Sequence, residues 1–188
     1  MALNWTDELL GQLEFYWDVS LWPRLRGLGD REFYWEPVEG CWTVRPRGDG
    51  GHTVDWTWPE PSPPPVTTIG WRLGHMAVGV LELRVDHHFG DRSMRLDTVS
   101  WPGSADEALT RLGDAYRAWC AGVRELGPEA LAAPVGAAEP EQWAEFPFAM
   151  LALHINRELI HHGAEVALLR DLYRAGLSGP DPARPVAE

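Results

Sequence analysis

From about Trp143 to Arg174 the chain reads as one long helix, and this segment constrains the fold more than any other. Advancing roughly 100° per residue, Leu151, Ile155, Leu159, Val166, Leu169 and Tyr173 fall within one arc, the pattern of a face that packs against other helices. Glu158 and His162 fall inside that same arc, one turn apart. A carboxylate and an imidazole therefore stand where core is expected. An unpaired buried carboxylate is costly, so it must be protonated, hydrogen-bonded, ion-paired or bound to a cation.

A metal ion satisfies both residues at once, because a spacing of i and i+4 stacks two side chains on one helix face. A buried Glu158–His162 ion pair, or Glu158 paired with an arginine, accounts for the same pattern, and spacing does not choose between them. His154 and His161 flank the stripe, and a ligand set of His154, Glu158 and His161 is equally compatible with helix geometry. Glu158-Leu159-Ile160-His161 also matches the Glu-x-x-His element of di-iron bundles, but it occurs once where those proteins need it twice. Taken alone, His75 reads as a packing histidine, and it gains weight only as a third ligand.

The remaining chain supplies three more helical segments. The first opens at Thr6, which can cap it, and carries Leu9, Leu13, Tyr16, Trp17 and Leu21 at helical spacing as far as Pro23. Thr67 or Thr68 caps a second helix running to about His88, where Gly90 stops it. His75 lies in its middle, and His87 and His88 near its end are expected to face solvent or the helix dipole. An extended piece over Ser93 to Val99 precedes a third helix, capped by Ser104 and reaching about Leu126. Gly127 to Pro140 reads as a linker.

Between helices 1 and 2, residues 27–65 hold most of the turn signals, including Arg47-Gly48-Asp49-Gly50-Gly51 and Pro61-Ser62-Pro63-Pro64-Pro65. Structureless loops beyond about 15 residues are uncommon in compact domains, so Trp35, Trp42, Trp56 and Trp58 are expected to pack over one end of the core. A short hairpin is expected around Trp42 to Val44. The fold class expected is all-α, an up-down four-helix bundle with a long Trp/Pro-rich loop between helices 1 and 2. Residues 1–176 are read as one domain and residues 177–188, with Pro180, Pro182 and Pro185, as a flexible tail.

Composition removes several function classes. The net charge is −12 and all 16 basic residues are arginine, so neither a Schiff-base lysine nor a P-loop lysine exists. Excess negative charge repels phosphate backbones and anionic lipid, so neither nucleic acid nor membrane is an expected partner. Cys41 and Cys120 form no CxxC pair and read as reduced thiols of a cytoplasmic protein. HExxH, Gly-x-Ser-x-Gly and complete Gly-x-Gly-x-x-Gly motifs are all missing from the sequence.

Four stretches together resemble the DinB/YfiT-like superfamily of metalloenzymes. They are Tyr34-Trp35-Glu36-Pro37-Val38 with Gly40-Cys41-Trp42, then Thr68-Ile69-Gly70-Trp71-Arg72-Leu73-Gly74-His75, then Asn156-Arg157-Glu158, and finally His161-His162-Gly163-Ala164-Glu165 with Leu169-Arg170-Asp171-Leu172-Tyr173. The resemblance implies a metal held by one histidine of the second helix and two residues of the last, which map onto His75, Glu158 and His162. Many members carry histidine at the middle position. Glu158 is instead the choice of the related mycothiol-dependent maleylpyruvate isomerases, whose additional catalytic domain this chain is too short to contain, so isomerase activity is not carried over.

What the resemblance implies about chemistry is thiol S-transfer with a low-molecular-weight thiol such as mycothiol or bacillithiol. Three protein ligands leave one coordination position at which a thiol can be deprotonated. The expected ion is zinc, with nickel or iron(II) as alternatives, and the partners are a small-molecule substrate and a thiol. His154, Arg157 and His161 are the candidate catalytic or proton-transfer groups. Two rival readings stand beside this one: metal-dependent hydrolysis with water as nucleophile, and a non-catalytic bundle, for instance a homodimer, with a polar His/Glu core and exposed tryptophans as a binding surface.

Overall fold

A computed structural model of the chain describes residues 3–176; the expected flexible tail, 177–188, lies outside them. The described chain is mostly helical. Helix α1 (Trp5–Tyr16) continues through a π-helical stretch, Trp17–Leu21, into α2 (Trp22–Leu25), so Pro23, which has no N–H to give to the preceding turn, lies just after the π-helical stretch and does not end the helix. The cap of α1 is Asn4 rather than Thr6: its side chain accepts the Thr6 N–H, while the buried Thr6 hydroxyl donates to Leu126 O at 3.0 Å. After α3 (Asp30–Phe33) comes the hairpin β1 (Val44–Pro46) and β2 (His52–Val54), paired antiparallel with Val44 opposite Val54. Its turn uses Gly50 at φ 86°, a conformation that favours glycine.

The hairpin is tied to the start of the second long helical stretch. Trp42 N–H donates to Val66 O and Thr68 N–H to Trp42 O, both at 2.9 Å. Thr68 caps α4 (Ile69–Gly74) by accepting the Trp71 N–H, and its hydroxyl donates to Thr43 Oγ1. The axis then runs through a π-helical stretch, His75–Glu82, into α5 (Leu83–Phe89), which Gly90 ends. Where an extended piece over Ser93 to Val99 was expected, residues 93–95 pair with no strand among the described residues and residues 96–99 form a turn, with Val99 N–H donating to Arg95 O.

Helix α6 (Ala105–Arg124) is capped by Ser104 and packs along the π-helical stretch. The 127–140 connection is more ordered than a linker, containing α7 (Pro128–Ala132) and a 3-10 turn, Gly136–Ala138. The last helix, α8 (Phe148–Arg174), starts five residues later than its apolar pattern suggests. Pro147 is the reason: it disfavours helical backbone at Phe146, so Glu141–Trp143 forms a separate 3-10 turn.

These helices share one core in which Leu13, Leu21, Leu73, Met76, Leu81, Leu112, Ile155, Leu159 and Val166 are all buried. At the C-terminal end of α8, Arg170 is fully buried. Its guanidinium makes a two-point contact with Glu32, Nε to Oε1 at 2.6 Å and Nη2 to Oε2 at 2.9 Å, and it also donates to the carbonyls of Arg24 and Arg26. One side chain thereby joins α8 to both short helices that follow α1. No helix among the described residues is long and apolar enough to cross a membrane.

The tryptophans of the long connection divide. Trp42, Trp56 and Trp71 form a triangle with ring centroids 6.1 Å apart, and Trp35 meets Tyr173 edge-on. Trp56 and Trp58, both expected to pack over the core, are 58% and 84% exposed; Trp56 keeps its contacts with Trp42 and Trp71, while Trp58 lies in the proline-rich stretch.

Candidate metal centre

α4 and its π-helical continuation run beside α8, and this pairing brings His75 opposite Glu158 and His162. Glu158 Oε2 lies 3.2 Å from His162 Nε2 and 3.6 Å from His75 Nε2. Donor atoms of all three residues lie within 4.8 Å of one another. Two donors each about 2.0–2.1 Å from a tetrahedral ion stand roughly 3.3–3.4 Å apart. The Glu158 oxygen thus already sits at ligand spacing from both imidazoles, and the donor set, two imidazoles and a carboxylate, suits zinc.

Neighbouring residues orient the two histidines. The His162 Nδ1–H donates to Glu165 Oε2 at 2.7 Å, which directs Nε2 toward Glu158. Arg72 Nε lies 3.1 Å from the same Glu165 oxygen, so that carboxylate is itself held. The His75 ring stacks on Trp71 at 5.2 Å and 16°, and Trp71 is anchored through its indole N–H to Asp55 O at 2.8 Å. The hairpin connection therefore orients His75 through one tryptophan. Gly79 lies one turn on, and a Cβ there would stand 3.3 Å from His75 Nδ1.

The electrostatics of the three residues favour a charged carboxylate facing positive charge. Hydrogen bonds from His162 and then His75 pull the Glu158 carboxyl far below its ordinary range, against the cost of burial. Burial pulls His162 down, but the facing carboxylates Glu158 and Glu165 outweigh it and the net shift is up. Burial holds His75 low.

The structure separates the other candidates. His154 Nδ1 lies 3.4 Å from Glu158 Oε1 and accepts from Arg157 Nη2 at 2.7 Å; burial keeps its pKa low. Arg157 is mostly exposed, with Nε 3.9 Å from Glu158 Oε1. His161 points the other way, exposed, its Nε2 3.4 Å from Glu165 Oε1, so the alternative set His154, Glu158, His161 is not brought together. A second group, His161, His162 and Glu165, does converge, but Arg72 already provides its cation.

His87 and His88 do not face solvent. His87 lies within 3.2 Å of Ala138 O, and the buried His88 ring contacts Glu139 at 3.0 Å, because the 133–147 connection folds back over α5. Both cysteines are buried and free, and burial raises their pKa values, that of Cys120 to about 11, which disfavours the thiolate at neutral pH. Glu165, Arg72 and Trp71 were not singled out in the sequence. Glu165 had a signal, lying three residues after His162; the other two act through tertiary contacts.

The family model described as the DinB superfamily matches residues 12–166. No curated protein and no solved structure matches the chain.

Proposed function

The chain belongs to the DinB superfamily, and from that premise we propose that it is a mononuclear metal-dependent thiol S-transferase. In this reading His75, Glu158 and His162 hold one zinc ion, and a low-molecular-weight thiol of the mycothiol type is the cosubstrate. The observation that carries it is the Glu158 oxygen facing two imidazole nitrogens at 3.2 and 3.6 Å. The four long helical stretches, read as an up-down bundle, explain why the site forms: antiparallel neighbours place the middle of one helix opposite the middle of another.

When bound, the ion would supply a position at which a thiol loses its proton at neutral pH. The chain's own groups do the rest. Glu165 keeps the His162 proton on Nδ1, and Arg72 keeps Glu165 charged. Trp71 and Gly79 hold the His75 ring in place. His154, with its depressed pKa, is the group next to Glu158 that can take up a proton, and Arg157 is the cation nearest the same oxygen.

Elemental analysis of the wild type, Glu158→Ala and His162→Ala tests the ligands. One ion per wild-type chain and loss in both variants is expected; equal content in all three removes them. Product formation from an electrophile, measured with and without added thiol, separates S-transfer from hydrolysis. Turnover that does not need thiol would favour water as nucleophile.

A further inference from the structure

A cavity of about 340 Å³ opens beside the centre, between α8 and the connection that folds back over α5. Its volume is at the lower end of the roughly 300–1,000 Å³ typical of small-molecule sites. Trp143, Phe146 and Met150 line it, and each is among the exposed large apolar side chains, at 51%, 38% and 45%. Each presents part of its exposed surface to this cavity, which is itself open to solvent.

The polar groups of the lining are not equivalent. Arg84 is already engaged, lying 3.3 Å from Glu139 Oε1 and donating to Gly79 O at 2.5 Å. His154 and Arg157 line the cavity and also stand beside Glu158 Oε1, at 3.4 and 3.9 Å. A cation held by Glu158 would absorb the charge nearest Arg157, leaving that guanidinium to meet an external anion. Its Nη2 already donates to His154 Nδ1 at 2.7 Å, which leaves the remaining N–H groups of this mostly exposed guanidinium for a ligand.

We propose that this cavity is the second-substrate pocket of the centre, taking a small molecule with an aromatic or branched apolar body and one carboxylate, the carboxylate held by Arg157. The proposal rests on the metal-centre reading and names its substrate class. The apolar body lies among Trp143, Phe146 and Met150. The carboxylate, held by Arg157, then lies on the side of the cavity next to Glu158, whose Oε1 is 3.9 Å from Arg157 Nε.

The test uses the full-length chain loaded with zinc, titrated calorimetrically with 3-phenylpropanoate and with 3-phenylpropanamide. Saturable binding is expected, with the acid favoured about tenfold for a charge-assisted contact. Arg157→Gln should erase that preference while leaving the amide unchanged. Met150→Trp and, independently, Val135→Phe fill the cavity and should each weaken both ligands at least tenfold. Absence of saturable binding, binding indifferent to both filled variants, or an acid preference that survives Arg157→Gln would each overturn the pocket. Zinc content is measured on the same samples: one ion per chain without probe binding sinks the pocket and leaves the centre standing. A chain that takes up no zinc sinks the centre and, with it, this cavity's assignment to it.

Discussion

Glu165 accepts the Nδ1–H of His162 at 2.7 Å, and that hydrogen bond decides which nitrogen His162 turns toward His75 and Glu158. A carboxylate behind a ligating imidazole fixes its tautomer and raises its basicity; losing such a partner typically lowers metal affinity about 10–100-fold. Glu165→Ala is therefore expected to weaken zinc binding by about that factor, measured by competition with a chromophoric chelator, while far-ultraviolet circular dichroism stays that of the wild type. Glu165→Gln, which still offers a carbonyl oxygen to Nδ1–H, should recover part of the loss. Equal affinity in all three proteins would remove Glu165 from the centre.

Gly79 presents a case in which stability and binding move in opposite directions. Alanine is favoured over glycine inside a helix by roughly 1 kcal/mol, so Gly79→Ala should leave the metal-free protein as stable as the wild type or more so. Its Cβ would press within 3.3 Å of His75 Nδ1, closer than most such contacts, and push the ring from its place on Trp71. Zinc affinity should fall. Melting temperatures with chelator and with zinc read both effects in one experiment, and a parallel rise in both would show that the methyl is accommodated and that the glycine does not place His75.

Periodicity explains what the sequence made visible. A stripe with Glu158 and His162 in it is conspicuous because helix geometry is local, and capping at Thr68 and Ser104 is equally local. What escaped depends on which segments meet. His88 seemed solvent-facing until the 133–147 connection placed Glu139 against it, and His161 could not be told from His154 until α4 packed on one side of α8. Trp56 and Trp58 were grouped with the other tryptophans by residue type, whereas both are exposed, Trp58 within the proline-rich stretch. Pro147 was the local signal passed over, marking where α8 must begin.

Arg170 and Glu32 form the most deeply buried two-point ion pair in the described chain, with 0% and 6% exposure. Removing one partner of such a pair leaves the other as an uncompensated buried charge, at a typical cost of about 3–5 kcal/mol. Arg170→Ala should lose about that much in urea-unfolding free energy. The double variant Arg170→Met with Glu32→Leu, which removes both charges, should be far closer to the wild type. If the single variant unfolds at the wild-type midpoint, α8 is held by apolar packing and the pair contributes little.

Glu139 gives a pH dependence that the metal centre does not share, because its partners His88 and Arg84 lie on α5, away from the three converging donors. Burial works to raise its carboxyl pKa, but the hydrogen bond from His88 and the charge of Arg84 outweigh it, and the net shift is below the ordinary value of 4.5. A carboxyl whose folded-state pKa is depressed binds fewer protons folded than unfolded. Its stabilising contribution is therefore complete above the unfolded pKa and is lost as pH falls through the folded one. In chelator-treated protein, the melting-temperature gap between the wild type and Glu139→Gln should be widest above about pH 5 and narrow steadily below about pH 4. A gap that stays constant from pH 3 to pH 7, a range of roughly four units spanning that transition, would mean that Glu139 acts through shape and neutral hydrogen bonding rather than charge.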